Sequence, residues 1–554
     1  MNATAPRRPL RELAALVATL GLVGSASANN ALARNHSVHD DAAAIGAAIY
    51  RTGIQPSGQP LQAERDGGIQ LSGATAACIN CHRRSGLGMK EGRRTIPPIA
   101  GSYLFHARAD SADGMDLPFV DGMRPERDPY TEVTLARAIR AGIAADGTPL
   151  SYLMPRYTLD DSAMHALIAH LKTLSPGAVP GVTDTVLHFA TIITPDADPV
   201  KRQGMLEVLE KFFADKNRYT RALSPRLRSS RRMMFQVNRH WELHVWQLTG
   251  PANTWQAQLQ AKLAAQPVFA VLSGLGGRTW QPVHRFCEQE ALPCLFPNLE
   301  LPVVAEGDFD NLYLSQGVLL EARLMAYQLQ ELQASKQVHR VVQVYREADV
   351  GAAAARALAS SLAGNELTVV DRGLNAERKL ASALRDIAPE DVLVLWLRPD
   401  DIERLGAPPS AVSQVLISGQ MAGLEQAPLP AAWRPFTSMT YPFDLPQQRR
   451  VRVDFPLGWF RIRQIPVVAQ QVQVDTWLVC GIVSDTVNHM VDAFVRDYLV
   501  ERVEEMLEHR AVTGYYPRLA LAPGQRFASK GGYLVRFAEP VGTHVVADSD
   551  WIVP

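Results

Sequence analysis

A pair of cysteines directly before a histidine constrains this chain more than any other feature of its sequence. Cys78 and Cys81 are three positions apart, and His82 follows immediately. Two thiols at this spacing add to the two vinyl groups of a haem, and the adjacent histidine then coordinates the iron from one face. The motif therefore predicts one covalently bound haem c, held by Cys78, Cys81 and His82.

Two other kinds of site also use a CxxC pair. A zinc site needs more ligands, but the remaining cysteines lie far along the chain and no second CxxC pair accompanies the first. A thioredoxin-like redox pair begins a helix that follows a strand, and the residues before Cys78 do not resemble a strand. Haem attachment is the interpretation that the motif favours, with both alternatives left open.

A second axial ligand of the iron must come from elsewhere in the chain. We predict Met154, because it lies a few residues before a predicted helix and Pro155 stiffens the loop that presents its sulfur. A thioether ligand favours reduced iron and raises the reduction potential, as an electron carrier requires. Core packing is the alternative role for this methionine. Other candidate ligands are Met89, Met115, Met123, Met164 and His106.

The first residues of the chain predict export from the cytoplasm. Arginines precede an apolar stretch over residues 13–23, which small residues follow at positions 25–28. This order is that of a secretory signal peptide, and the apolar stretch is too short for a lasting membrane anchor. A signal anchor is the alternative. We therefore predict a cleaved signal peptide over residues 1–28 and a periplasmic mature protein without a membrane span.

Length and charge set the broad class of the protein. A chain of 554 residues is too long for a single hydrophobic core and predicts roughly two to four domains. Its 56 basic side chains balance 56 acidic ones, which excludes a strongly basic nucleic-acid binder. With 5 cysteines it is not a disulfide scaffold either. The composition is that of an ordinary globular protein.

The segment over residues 177–182 divides the chain into two regions. Its proline and glycines stop a helix and indicate a linker. Before it, residues 40–50 and 160–174 have helical periodicity, and little between them resembles a strand. We predict domains over residues 29–176 and 183–554. In the second, helical patterns alternate with apolar runs typical of parallel strands buried on both faces, at residues 268–272, 341–345, 392–396 and 414–417.

Residues 41–176 resemble a class I cytochrome c domain. Residues 46–50 resemble the N-terminal helix of that family, the CxxCH motif its haem-attachment site, and residues 97–101 the segment that follows. Met154 and the helix after it resemble the axial-methionine loop and the C-terminal helix. The family implies an all-α fold around one covalent haem and the transfer of single electrons. The long polar stretch between the motif and Met154 departs from the family's pattern.

Residues 183–545 resemble the type I periplasmic binding proteins, in particular the substrate-binding components of branched-chain amino acid transporters. The resemblance is mainly one of layout: residues 186–193 resemble the opening strand, and residues 345–351 the strand-to-helix junction of the second lobe. The family implies two α/β lobes around a cleft that closes on a small molecule. We therefore expect an all-α cytochrome c domain followed by a two-lobe α/β periplasmic binding protein-like domain.

A loop beginning at Ser273 resembles the first-lobe ligand loop of that family. Backbone amides after Ser273 would open a helix and hold a carboxylate, with Arg278 and Thr279 as nearby donors. The alternative is that the glycines of this loop only form the turn. Tyr345 and Glu347 are the corresponding ligand-cleft candidates on the second lobe.

A basic run follows the predicted opening helix of the second region, where the resembled family has a glycine-rich turn. This departure leaves the class of ligand open. Such a run also docks an acidic redox partner protein through complementary charge, although a solvated loop is the simpler interpretation. The run comprises Lys216, Arg218, Arg221, Arg226, Arg228, Arg231, Arg232 and Arg239.

The remaining cysteines carry a second expectation. Cys287 and Cys294 are separated by a short segment between a helix end and a strand, and in an oxidising compartment we predict a disulfide between them. Cys480 lies in an apolar stretch and is expected to be a buried small hydrophobic residue.

These features predict a periplasmic c-type cytochrome that transfers single electrons, with a second domain for a small ligand or a redox partner protein. The alternative is a periplasmic solute receptor or sensor in which the haem has a regulatory or reporting role. A third hypothesis is a haem enzyme, but a single CxxCH motif does not fit a dihaem peroxidase, and methionine-ligated iron has no open site for peroxide. We therefore predict no enzymatic activity.

Overall fold

The computed structural model forms two compact units. Tertiary contacts divide the chain between Gly177 and Ala178, which lies at the segment predicted as a linker. The predicted signal peptide over residues 1–28 lies outside the described residues. The structure describes residues 41–91, 94–105, 128–174, 178–222, 239–335, 338–490, 493–522 and 524–554.

Helices supply most of the regular structure described in the first unit. They are α1 (residues 41–52), α2 (Ile79–His82), α3 (Gly101–Leu104), α4 (Glu132–Ala141) and α5 (Asp161–Thr173). Helix α5 begins where the Asp160 carboxylate accepts a backbone N–H of the first turn. Apolar residues at three-and-four spacing then place one face of α5 in the core, where Met164, Leu167 and Leu171 are buried.

Gly46 allows helices α1 and α5 to cross in close contact. A Cβ atom at this position would lie 2.0 Å from the carbonyl oxygen of Ala166 and 2.8 Å from the Cβ atom of His170. Ile49 and Tyr50, one turn further along α1, are fully buried in the same core. Only glycine fits at this crossing without moving one of the helices.

The prediction of an all-α first domain is wrong, because the first unit also contains short antiparallel strands. These form one sheet in the order β2-β1-β5 and a separate β3-β4 pair. Each strand is only three or four residues long, and few of the side chains described on them are buried, so no alternating pattern marks them in the sequence. The strands are β1 (Gln62–Arg65), β2 (Ile69–Ser72), β3 (Met89–Glu91), β4 (Arg94–Ile96) and β5 (Arg156–Thr158).

The second unit begins with an α/β lobe built on a parallel sheet. Its strands are β6 (Val186–Ile193), β7 (His240–Gln247), β8 (Ala270–Leu272), β9 (Cys294–Leu295) and β10 (Asn311–Leu312). They lie in the order β10-β9-β8-β6-β7, and neighbouring strands pair in parallel. The rings of Phe189 on β6 and Trp241 on β7 pack 4.7 Å apart in the core of this lobe.

A second α/β lobe follows, on a larger sheet. Its strands are β11 (Arg340–Arg346), β12 (Thr368–Leu374), β13 (Asp391–Trp396), β14 (Gln414–Ser418), β15 (Thr437–Tyr441), β16 (Tyr533–Phe537) and β17 (Val545–Ala547). The order is β12-β11-β13-β14-β15-β16-β17, parallel as far as β15 and antiparallel at the closing hairpin. Strand β13 is buried along its whole length, as its apolar run predicts. The two sheets confirm the predicted two-lobe α/β architecture.

Helices pack against both sheets of the second unit. Helix α6 packs against β7 and α15, and α9 packs against α10. Within the described ranges, no helix is both long enough and apolar enough to span a bilayer. The helices are α6 (Pro199–Ala222), α7 (Trp255–Ala265), α8 (Gln281–Gln289), α9 (Val318–Ala334), α10 (Gly351–Ser361), α11 (Leu380–Ala383), α12 (Pro399–Glu403), α13 (Gly419–Ala422), α14 (Pro446–Arg463), α15 (Gln470–Met490) and α16 (Arg496–Glu508).

A disulfide joins helix α8 to strand β9. It links Cys287 and Cys294, whose Cα atoms are 6.2 Å apart and whose side chains are buried. Cys480 is a free, fully buried thiol within α15. The structure thus has the disulfide that the sequence predicts between Cys287 and Cys294. It also has the buried, apolar environment that the sequence predicts for Cys480.

We expect Gly46→Ala to destabilise the first unit by about 1–3 kcal/mol, because the added methyl group overlaps the backbone of α5. Calorimetry of the thermal transition of this unit measures the effect. Ala44→Ser, an exposed change on the same helix, is the matched control and should leave the transition within about 0.5 kcal/mol of the parent. Equal stability of Gly46→Ala and the parent would contradict the close crossing.

Candidate functional site

The three residues of the CxxCH motif lie on a single helical turn. Cys78 is the residue before helix α2, and its carbonyl oxygen accepts the His82 N–H at 2.9 Å. Cys78 and Cys81 are both free thiols. Burial raises the pKa of the Cys78 thiol to about 12, although a hydrogen bond from the Tyr157 hydroxyl opposes that rise. The turn therefore holds two free thiols next to one imidazole.

The His82 ring is buried and oriented by the backbone. Its Nδ1 lies 3.1 Å from the carbonyl oxygen of Pro97, which can only accept a hydrogen bond, so Nδ1 carries the proton. Burial lowers the pKa of His82 to about 4, against the opposing effect of that hydrogen bond, and keeps the ring neutral. A neutral imidazole with Nδ1–H held by a carbonyl presents Nε2 as a metal ligand. These residues fit the haem attachment that the motif predicts.

Met154 lies in a loop that packs against the same core as Cys78. Its side chain is partly buried against the hydrophobic cluster that contains Cys78 and Tyr157. Strand β5 begins two residues later and includes Tyr157, whose hydroxyl contacts the Cys78 thiol. The loop is therefore anchored close to the CxxCH turn, and the role of Met154 as second axial ligand stays a prediction.

The alternative axial ligands fall into two groups. Met164 is fully buried in the core face of α5, and Met89 is a partly buried residue of β3. The other three, Met115, Met123 and His106, lie outside the described residues. Among the described candidates, Met154 is the one that a loop presents.

In the second unit, a cavity of about 610 Å³ lies where parallel strands of both sheets end. Its walls come from the loops after β6, β8, β9, β10, β11, β13 and β14, together with the first turns of α15. In open α/β sheets, ligands bind outside the carboxyl ends of the strands, and this volume suits a small molecule. The polar side chains in its walls include Asp196, Asp198, Lys201, Arg278, Asn298, Glu300, Arg398, Gln471, Asp475 and Tyr516.

The predicted first-lobe loop is occupied by the protein's own side chains. The Gly277 N–H donates to Thr194 Oγ1 at 3.0 Å, and the Arg278 N–H donates to Asp196 Oδ2 at 2.9 Å. A Cβ atom on Gly277 would lie 2.3 Å from the carboxyl carbon of Asp196, so glycine is needed for this approach. Burial raises the pKa of Asp196, but the hydrogen bonds from Arg278 and Thr194 outweigh it and lower the pKa.

The prediction that amides after Ser273 open a helix is therefore wrong, and the ligand carboxylate expected at this loop stays a prediction. Helix α8 begins only at Gln281, and a carboxylate of the chain already occupies the amide donor of Arg278. Ser273 is fully buried, and its Oγ contacts Thr476 Oγ1 at 2.9 Å and Asn298 Nδ2 at 3.0 Å. The sequence could not reveal that Asp196, from another loop, reaches these amides.

Only one of the five predicted cleft residues lines this cavity, namely Arg278. Thr279 lies beyond its wall. Tyr345 packs against the core of the second lobe. Glu347 is exposed and accepts a hydrogen bond from Asn375 at 3.1 Å. The turn after β11 therefore contributes Val350 to the cavity wall in place of these two residues.

An ion-pair network joins the two lobes at the cavity. Arg398, after β13, contacts Glu300, after β9, at 2.7 Å, and Asp349 at 2.6 Å. Lys201 approaches Glu300 at 3.0 Å. Burial raises the pKa of Glu300, but the two cations outweigh it and lower the pKa to about 2. These charges neutralise one another within the wall.

Asp475 is an acidic residue of the cavity wall whose side chain is buried and incompletely hydrogen-bonded. It lies in the second turn of α15, is 4% exposed, and its Oδ1 has no hydrogen-bond partner among the described residues. The Tyr516 hydroxyl lies 3.4 Å from Oδ2. Burial raises the pKa of Asp475 to about 7, although the neighbouring side chains of Tyr516 and Gln471 oppose the rise. An acidic residue at helical spacing from buried Leu478 and Val479 was the sequence signal that we missed.

The pKa of Asp475 has a consequence for stability. Because the pKa in the folded state, about 7, is raised above the ordinary value of 3.8, the folded protein keeps a proton that the unfolded chain releases. This contribution is complete below the unfolded pKa and is lost as pH rises through about 7. Between pH 5 and pH 8 the loss is on the order of 3 kcal/mol.

We therefore expect Asp475→Asn, which cannot ionise, to flatten the fall in stability of the second unit between pH 5 and pH 8. Calorimetry at both pH values measures the change. Asp485→Asn, on the same helix but outside the cavity wall, should keep the parent's pH dependence. Identical pH dependence in Asp475→Asn and the parent would contradict the raised pKa.

Comparison with known proteins gives likeness only at the level of solved structures. The chain is similar to a fatty acid ABC transporter substrate-binding protein from Thermomonospora curvata, with 15% identity, a TM-score of 0.47, and coverage of 68% of this chain and 95% of that one. It is also similar to a branched-chain amino acid ABC transporter protein from Thermus thermophilus. The identity is 10% and the TM-score 0.47, and the match covers 68% of this chain and 97% of that one. No family model and no curated protein matches the chain. These similarities assign neither a ligand nor an activity to this chain.

Proposed function

We propose that the second unit is a receptor for a small molecule, which binds in the cavity beside Asp475. The observation that carries this proposal is a buried carboxylate oxygen without a partner in the wall of a 610 Å³ cavity. A buried polar atom left without a hydrogen bond destabilises a fold by about 1–3 kcal/mol. A ligand that donates a hydrogen bond to Oδ1 removes that penalty.

The neighbouring charges indicate which chemical group the ligand presents. Glu300 is paired with Lys201 and Arg398, and Asp196 accepts hydrogen bonds from Thr194 and Arg278. Asp198 accepts two backbone N–H groups at the start of α6. Among these described carboxylates, only Asp475 has a buried oxygen without a hydrogen-bond partner. We infer a ligand with a nitrogen that donates a hydrogen bond, best an ammonium group, which also favours ionised Asp475.

We also propose that the first unit carries a covalent haem c, and electron transfer is the second candidate function. The observation in its favour is the hydrogen bond between His82 Nδ1 and the Pro97 carbonyl oxygen. Cys78 and Cys81 would hold the haem through thioether bonds, His82 through Nε2 and Met154 through its sulfur. When bound, the haem supplies single-electron transfer. The backbone at Pro97 fixes the plane and protonation of the His82 ring.

The two proposals describe one exported protein. The predicted signal peptide and the Cys287–Cys294 disulfide both suit an oxidising compartment such as the periplasm. In the receptor proposal the haem is a reporting or regulatory group. In the electron-transfer proposal it exchanges electrons with a redox partner protein. Neither proposal includes an enzymatic step.

We expect small primary amines to raise the unfolding temperature of the second unit, whereas carboxylates with the same carbon skeletons do not. At a ligand concentration about 100-fold above Kd the stabilisation is about 3 kcal/mol. Thermal unfolding against matched amine and carboxylate panels is the measurement. Asp475→Asn should lose the amine response and Asp485→Asn should keep it. Stabilisation by carboxylates, retained in Asp475→Asn, would contradict the proposed ligand class.

Haem attachment and ligation are tested by visible spectroscopy of protein expressed with haem maturation in the periplasm. We expect haem to stay bound after denaturation, with the low-spin spectrum of a histidine–methionine iron. Cys78→Ser with Cys81→Ser should abolish covalent attachment, while Cys480→Ser should not.

Met154→Ala should lower the reduction potential and let the iron bind carbon monoxide, while Met164→Leu should not. An unchanged spectrum in Met154→Ala would contradict its assignment.

A further inference from the structure

Two histidines and a glutamate meet on adjacent strands of the first lobe, apart from both sites described above. His188 lies on β6, and the parallel register places it opposite Glu242 on β7. Glu242 and His244 are two residues apart on β7 and therefore share one face of the sheet. Each of the three offers one ligand atom, and these atoms all lie within 4.8 Å of one another.

The distances match those between ligands of one tetrahedral ion. His188 Nδ1 lies 3.0 Å from His244 Nε2 and 3.6 Å from a Glu242 carboxylate oxygen. His244 Nε2 lies 3.9 Å from the other oxygen. Metal–ligand bonds of 2.0–2.1 Å in tetrahedral geometry separate neighbouring ligand atoms by about 3.3 Å.

The orientation of the two imidazole rings fits the same arrangement. Their centroids are 5.2 Å apart. Two imidazoles that aim a nitrogen at one tetrahedral zinc ion have centroids about 5 Å apart, because each centroid lies about 1 Å behind its ligating atom. The two nitrogen atoms, 3.0 Å apart, therefore lie closer together than the ring centroids do, as they would if both bound one ion.

The Glu242 carboxylate makes no hydrogen bond to either histidine of the cluster. The contact between the two histidines accounts for one shared proton, while both histidine–carboxylate separations exceed the 3.5 Å of a hydrogen bond. A cation between the three groups contacts all of them. The histidines are 16% and 19% exposed and Glu242 is 50% exposed, so one side of the cluster is open to solvent.

We propose that His188, Glu242 and His244 bind a divalent transition-metal ion, with zinc as the best match and a fourth coordination position open to solvent. Two imidazoles and one carboxylate form a ligand set that zinc accepts with an exchangeable fourth ligand. None of the three residues lines the cavity beside Asp475. A test of this metal site therefore does not depend on whether the proposed receptor function is correct.

Isothermal titration of chelator-treated full-length protein with Zn²⁺ tests this site. We expect saturable binding that His188→Ala and His244→Ala abolish. Glu242→Gln, an exposed change of the same shape, should weaken binding about tenfold or more. His240→Ala is the matched control, because His240 lies on the same strand but its Nε2 contacts Asn217 at 3.4 Å, and it should bind zinc like the parent.

The variants also separate this site from the thiols of the CxxCH turn, because zinc bound at those thiols would persist in all three variants. Zinc binding that persists unchanged in His188→Ala, His244→Ala and Glu242→Gln would overturn the proposal, as would the absence of binding in the folded parent. If the histidine variants fail to fold, Glu242→Gln against the parent decides, because its side chain is half exposed.

Discussion

The shared direction of the parallel strands determines where polar groups meet in the second unit. Strands β6, β8, β9 and β10 of the first sheet and β11, β13 and β14 of the second all end at the cavity. Loops that are far apart in the sequence are thereby brought to one place. Asp196 and Arg278, 82 positions apart, form one hydrogen-bonded loop for this reason. The cavity is a property of the topology, and its chemistry comes from the loops.

One consequence is that a turn able to bind an anion is already satisfied from within. Backbone N–H groups at a glycine-rich turn attract negative charge, and here Asp196 supplies it. The glycine at position 277 matters because it lets that carboxylate approach, not because it leaves space for a ligand. In the proposed receptor the group left to interact with a ligand is a carboxylate, Asp475, so the charge of the proposed site is opposite to that expected from the loop alone.

Prediction from sequence succeeded where the determining signal is local. The apolar runs that became β11, β13 and β14, and the core face of α5, follow from side-chain periodicity. The residues of the CxxCH motif also span one helical turn, but the haem that the motif predicts stays a proposal. The short strands of the first unit and the Asp196 contact depend on pairing between distant segments. Asp475 was missed because its spacing from buried residues of its helix indicates burial but does not show that a cavity adjoins it.

The ion pair between Arg398 and Glu300 affects how fast the proposed receptor would exchange its ligand. These side chains come from loops of different lobes and are 32% and 27% exposed. Separating the lobes to admit or release a molecule must break this contact and expose both charges to water. In the proposed receptor this ion pair therefore holds the two lobes together and slows ligand exchange. Because salt screens the separated charges, exchange should become faster as ionic strength rises.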